Sequence, residues 1–371
     1  MKILLNTIVL LIIPIFLHAN IILVKNNTDK IIGVQIFYIS EKYKDNLDEY
    51  FYTLKQKGVN TVFIRVFQNK GDRYHYNVTS LCESGVYFKT DQACMIYDIL
   101  PEFIKYGKKY HIKIFAWMGT RKLSFLVDKF GVAETFRLNE NEKRKGYGVD
   151  IFEPVVFKKL RKIFIDLAKY EIDGILLQDD FILRIDESSS FYTTKNFLTD
   201  YDIYVDNSYN IKELPEDFFE WKTKALSDII NYIKWDMKKI NPKIKFAVNI
   251  YYETLFSSKK GKRWYGQSIE NYNKKGFTYF ASMLYSEQIK SEMKFSNEDY
   301  LKFLNNVLNF WTKRFEPPYR FIAKLQIRHF KNKNYIDKKF YNNICGLISK
   351  YNVSYILVPF EQLDDLDYLC N

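Results

Sequence analysis

Histidine is scarce in this sequence, with 4 residues among 371 and no His-x-x-x-His pair. A zincin helix is therefore excluded, and Cys82, Cys94, Cys345 and Cys370 match no zinc-ribbon spacing. No metal or cofactor is expected. Glycine (14) and proline (8) are also few, which excludes collagenous and low-complexity chains. No Gly-x-Gly-x-x-Gly turn follows the first apolar run, so a dinucleotide-binding fold loses its signature. Neither a phosphate-cradling Gly-x-x-x-x-Gly-Lys loop nor a Gly-x-Ser-x-Gly nucleophile elbow is present. The formal charge is +12, yet no Lys/Arg block is dense enough to mark a nucleic-acid footprint. No nucleic-acid partner is expected.

What the chain does have is apolar and aromatic surface: 47% hydrophobic residues, including 30 Tyr and 31 Phe. Such a chain can offset the entropy of ordering a large core. Residues 1–24 place one Lys before an apolar run interrupted by Asn6 and Pro14, and they read as a signal peptide or an uncleaved membrane anchor. Either way residues 25–371 are exported, to the periplasm or the extracellular space, with membrane contact only through an uncleaved segment. Export permits disulfides. Cys82–Cys94 and Cys345–Cys370 are one of three pairings, and four free thiols are the alternative.

Eight short β-rich runs recur: 31–39, 61–67, 112–118, 174–179, 245–251, 278–285, 320–327 and 355–360. Near-continuous apolar strands suit a parallel sheet buried on both faces. Amphipathic segments separate them. In 217–240, Leu226, Ile229, Ile230, Ile233, Met237 and Ile240 recur at helical spacing, and Phe157, Leu160, Ile163, Phe164 and Leu167 do so before the fourth strand. Eight strands with crossover-length connections predict a single-domain (β/α)8 barrel over 25–371. The long connections 67–94, 119–150, 181–216 and 252–277 all follow strand C-termini, where a barrel carries its active-site loops.

The sharpest feature is Asp173-Gly174-Ile175-Leu176-Leu177-Gln178-Asp179-Asp180, an apolar strand running into two carboxylates. Side chains alternate across a strand, so at most one of Asp179 and Asp180 points into the mouth while the strand stays regular. A carboxyl half-buried among aromatic rings has its pKa raised and can act as a general acid. Glycoside hydrolysis normally adds a second carboxylate. Glu253, Glu287 and Glu361 end strands five, six and eight, and Glu287 is preferred. Trp117, Tyr251, Tyr252, Trp264, Tyr285 and Phe330 crowd the same ends, where flat rings suit the C–H faces of sugars. Asn249 and Gln326 are polar inside buried strands and need partners.

Those residues carry a resemblance. GVNTVFIRVFQNKGD, YHIKIFAWMG, RLNENEK, IDGILLQDDFILRIDE, WKTKALSDII, KFAVNIYYE, ASMLYSE and AKLQIRHF occur in this order across residues 31–361. Together they are similar to the C-terminal glycoside hydrolase domain of bacterial periplasmic poly-β-1,6-N-acetyl-D-glucosamine N-deacetylases, which act in biofilm exopolysaccharide export. The resemblance implies a (β/α)8 barrel that cuts partly de-N-acetylated β-1,6-linked polymer internally, and envelope export machinery as a partner. Its catalytic aspartate maps onto Asp179–Asp180, with Asp179 favoured. Its sugar-contacting positions map onto Trp117, Asn249, Trp264, Tyr285, Glu287 and Gln326. The chain departs from the pattern at Gln178, where His is usual, at Asn69-Lys70-Gly71-Asp72, where an acidic loop is usual, and at Lys324, where an acid would suit a cationic polymer. The deacetylase domain has no counterpart in residues 1–30, so no deacetylation is expected. The alternatives to a glycosidase are a non-catalytic polysaccharide-binding barrel and a membrane-anchored assembly scaffold.

Overall fold

The computed structural model describes residues 29–75, 82–132, 134–139, 142–187, 191–201 and 216–370. The expected signal or anchor segment, 1–24, lies outside the described residues. No helix among the described residues is long and apolar enough to cross a membrane.

Eight parallel strands close into a barrel: β1 (Ile32–Ile36), β2 (Thr61–Arg65), β3 (Lys113–Met118), β4 (Gly174–Leu177), β5 (Lys245–Ile250), β6 (Tyr279–Leu284), β7 (Phe321–Gln326) and β8 (Ser354–Phe360). Seven expected runs contain their strands, and β8 begins one residue before its run, at Ser354. Every strand pairs with its sequence neighbours, and β8 closes on β1. All eight are buried along nearly their whole length, which explains why they read as continuous apolar runs. The fold is a (β/α)8 barrel.

Helices ring the barrel, including Leu47–Gln56, Leu100–Tyr110, Pro154–Ala168, Glu216–Ile240, Asn297–Arg314 and Lys338–Lys350. Their starts carry side-chain caps where the sequence offers them. Asn46 accepts from Glu49 N, Asp337 accepts from Phe340 N, and Ser296 forms a capping box with Asp299. The helix Glu216–Ile240 buries Leu226, Ile230, Ile233 and Met237, while Ile240 at its end stays exposed.

Two apolar clusters result. The larger lies between barrel and helices. The smaller fills the barrel interior with Ile31, Phe63, Phe115, Trp117, Leu176, Ala247, Tyr279, Ala281, Ile322, Ile356 and Val358. Gly174 belongs to this inward-facing set for a steric reason, because a Cβ there would lie 2.2 Å from the Phe115 ring.

Two features were not read from the sequence. The connection after β2 includes a short antiparallel pair, Phe67–Gln68 with Gly85–Val86, and the one after β3 includes a longer hairpin, Glu134–Asn139 with Glu142–Val149. The second is rich in Lys, Arg and Glu, so it lacks the apolar alternation that marks a half-buried strand. Both disulfides of the expected pairing are formed, Cys82–Cys94 and Cys345–Cys370.

Candidate active site at the barrel mouth

β4 ends at Leu177, and the chain then separates the two aspartates. Asp180 turns into the corner below the β3 loop and is 6% exposed. Its carboxylate accepts from Thr120 N (3.1 Å), Thr120 Oγ1 (2.8 Å), Arg121 N (2.8 Å) and Lys122 N (2.6 Å). Four donors saturate the carboxylate and bind the β4 tip to the turn after β3.

The same corner holds a buried ion pair. Arg121 and Glu187, both 0% exposed, meet at 2.7 Å, and Arg121 also donates to the carbonyls of Val149 (3.2 Å) and Ile182. Gly148 lets the hairpin strand approach, since a Cβ there would lie 2.3 Å from the Arg121 carbonyl oxygen. From the helix Glu216–Ile240, Lys222 donates to the carbonyls of Leu183 (3.0 Å) and Arg263 (2.8 Å). Burial drives its amine down to about 7. Asp180, Arg121, Glu187 and Lys222 thus immobilise the loop that follows Asp179.

Asp179 sits on the other side, half-buried. Its pKa is raised, first by desolvation, then by the charge of Asp180; Lys324 and Lys122 oppose the shift. Its environment is aromatic. Tyr251 Oη lies 3.5 Å from the Asp179 carbonyl oxygen, and its ring stacks on Tyr265 at 4.2 Å. The Asp179 charge also acts on the phenols of Tyr251 and Tyr285, both raised chiefly by burial. Lys324, 2% exposed, donates to Asn249 Oδ1 (2.9 Å) and stands over the rings of Tyr285 (5.7 Å) and Trp117 (6.0 Å). Asn249 in turn donates to the Leu177 carbonyl (2.8 Å). A carboxyl whose pKa is raised by burial beside aromatic rings has the property that general acid catalysis requires.

The remaining candidates divide by what they touch. Trp117 and Tyr285 line the upper barrel, with Trp117 edge-on to Phe37 and Tyr285 edge-on to Phe330. Trp264 is 38% exposed on the β5 loop. Gln326 is occupied in holding loops, accepting from Glu287 N (3.0 Å) and donating to the Arg328 carbonyl (2.9 Å). Glu287 pairs with Lys290 at 2.7 Å on the first turn of its own helix. Glu361 accepts from Tyr74 (2.7 Å) and pairs with Lys333 (3.2 Å). Glu253 accepts from Tyr265 Oη (2.8 Å) and has its pKa raised by burial, which disfavours the ionised form a base or nucleophile needs.

Sequence reasoning passed over Arg65, Arg121, Glu187 and Lys222. Two of them left a signal. Arg65 is a charge inside an apolar strand at the parity of Phe63, and Lys222 falls on the apolar face of its helix, four residues from Phe218 and Leu226.

A model of the hypothetical glycosyl hydrolase family 13 matches residues 38–355. The chain belongs to that family. No curated protein matches it. Among solved structures, this family-13 chain is similar to the glycoside hydrolase domain of PgaB (BpsB) from Bordetella bronchiseptica. Identity is 18%, 91% of this chain and 95% of that one are covered, and the TM-score is 0.72. The catalytic domain of a β-amylase from Paenibacillus polymyxa follows at 11% identity, 90% and 92% coverage and TM-score 0.58. A GH42 β-galactosidase from G. stearothermophilus matches at 12% identity, 89% and 51% coverage and TM-score 0.58. At such identities the likeness is one of fold. The family-13 chain is a glycoside-hydrolase domain on a barrel that several glycosidases share.

Proposed function

We propose that the chain is an exported endo-glycosidase acting on partly de-N-acetylated poly-β-1,6-N-acetylglucosamine, with Asp179 as general acid. One contrast supports the reaction: of two adjacent aspartates, Asp180 is saturated by four donors, whereas Asp179 stays half-buried next to the stacked Tyr251 and Tyr265 rings with its pKa raised by desolvation. Asp179 gives its proton to the glycosidic oxygen, and the bond from that oxygen to the anomeric carbon breaks. Water supplies hydroxide to the carbon, and its remaining proton returns to Asp179. The anomeric carbon is assisted by the substrate's acetamide or by Glu287 once drawn away from Lys290. The polymer assignment rests on the motif resemblance, as do envelope export machinery as a partner and a periplasmic or extracellular location. Trp117, Asn249, Tyr251, Trp264, Tyr285 and Gln326 are assigned to the sugar cleft or its support.

A second reading, a polysaccharide-binding barrel without catalysis, is favoured by one feature. The mouth-side carboxylates Glu253, Glu287 and Glu361 are each already engaged. The test uses the chain lacking residues 1–24. Fully and partly acetylated β-1,6 polymers and chitosan are incubated with it, and products are sized by mass spectrometry. Oligomers from the partly acetylated polymer alone, lost in Asp179→Asn, support the hydrolase. Binding without cleavage, unchanged in that variant, supports the carrier.

A further inference from the structure

Above the apolar filling, the barrel interior holds hydrogen-bonding groups that the protein does not use. Gln35 on β1, Arg65 on β2 and Trp117 on β3 are 1%, 6% and 3% exposed. Yet Gln35 Oε1, Arg65 Nε, Arg65 Nη2 and Trp117 Nε1 bond to nothing within the protein. A buried polar group left unpaired is destabilising, and several in one region call for a partner that the protein itself does not supply.

Their geometry is specific. Arg65 Nη1 is held by Asp72 at 3.3 Å, and Asp72 is itself fixed by Asn69 N at 2.8 Å. The unused nitrogens, Nε and Nη2, form the opposite edge of the guanidinium, two parallel donors spaced for the two oxygens of a carboxylate. Trp117 is Arg65's register partner on the neighbouring strand and brings a third donor alongside. On the far wall, three strands away around the barrel, stands the second buried cation, Lys324, also against the Trp117 ring. An amine of glucosamine would meet two positive charges here.

We propose that this layer is a subsite for a carboxylate carried by a sugar residue of the substrate, gripped side-on by Arg65 with Trp117 Nε1 as third donor, while Gln35 accepts from a neighbouring hydroxyl. The proposal rests on the glycosidase reading and specifies the substrate. At least some sugars bear an acidic group, either a uronate or a dicarboxylic acyl substituent. Lys324 adds long-range attraction, and a bound carboxylate would offset the positive charge that opposes protonation of Asp179.

Binding is measured calorimetrically on Asp179→Asn, so that turnover plays no part. Three probes are used: partly de-N-acetylated β-1,6-glucosamine oligomers, the same oligomers after succinic anhydride has turned each amine into a carboxylate, and oligosaccharides alternating glucuronate with N-acetylglucosamine. At least tenfold tighter binding of one carboxylated probe than of the amine-bearing oligomer is expected, and that probe identifies the source of the acid. Adding Arg65→Met should remove the difference. Should that variant fail to fold, Trp117→Phe keeps the ring and removes one donor, with an expected loss of several-fold. Equal affinity for all three probes, or a preference that survives Arg65→Met, overturns the subsite. Turnover by the unaltered protein is read separately. Arg65-dependent binding with no cleavage of any probe leaves the subsite standing and rejects the hydrolase. Cleavage indifferent to carboxylation does the reverse.

Discussion

The barrel carries two inward-facing cations at each end, and the two ends treat them differently. At the N-terminal end Lys113 and Lys245 converge on Asp29, Lys245 through a hydrogen bond and Lys113 at 3.7 Å, while the Tyr279 hydroxyl donates to the Asp29 backbone at 2.8 Å. Charge there is met by charge. At the C-terminal end Arg65 meets Asp72 through one nitrogen only and keeps two donors idle, and Lys324 has one hydrogen bond, to a neutral amide. The bottom is arranged as a plug and the mouth as a receptor, and stability at the mouth has been given up where a ligand is to supply the missing partners.

The largest expected effect concerns activity. Asp179→Asn should lower kcat/KM by roughly 10²- to 10⁴-fold, the range general acid catalysis supplies, while the melting transition is retained. Kinetics and calorimetry on one preparation check this; an active variant would remove the mouth's catalytic role. Next comes the anchored corner. Arg121→Met should cost about 3–5 kcal/mol because the buried Glu187 carboxylate loses the guanidinium that balances its charge, and Asp180→Asn about 3 kcal/mol because it loses several charge-assisted bonds. Denaturant unfolding reads both.

A smaller pair of substitutions sharpens the contrast between the ends. Lys245→Met should reduce stability by no more than about 1 kcal/mol, since the ion pair it breaks is part-exposed, and should leave turnover as it was. Lys324→Met should do the opposite, weakening substrate binding while stabilising the free protein near neutrality. Its amine is lowered by burial to about 8. Between pH 8 and the ordinary lysine value the unfolded chain holds a proton that the folded chain has released, so wild-type stability rises with pH across that window, and the variant should lack the slope. The smallest effect is a sign. The raised pKa of Asp179 means that its contribution is favourable at low pH and is lost as pH rises through the folded value. Asp179→Asn, which mimics the protonated form, should therefore melt above wild type at alkaline pH and level with it in acid.

The strands were legible because both faces of each are covered, so eight near-continuous apolar runs announce themselves without any knowledge of neighbours. The Asp179–Asp180 pair was legible for the same reason, as charge at the end of such a run. Which aspartate remains available was not, because the answer lies in the amides of residues 120–122, about sixty positions upstream. Arg121 and Glu187 are 66 residues apart and resemble loop charges until the loops meet. The hairpin 134–149 hid behind its charge, and the engagement of Glu287 with Lys290 looks in sequence like any helical pair. Local pattern reports burial, whereas the pairing of polar groups is a property of the closed fold.

Two covalent cross-links close chain separations of 12 and 25 residues, at the edge of the β2 excursion and at the C-terminus. Each should restrict the unfolded ensemble by about 3 kcal/mol, roughly 6 kcal/mol together. Net domain stability is typically about 5–15 kcal/mol, so a large part of this barrel's margin is set by the redox potential around it. Made in a thiol-rich cytosol, the same polypeptide would start nearer its melting point and present fewer correctly closed barrels for any assay of the mouth.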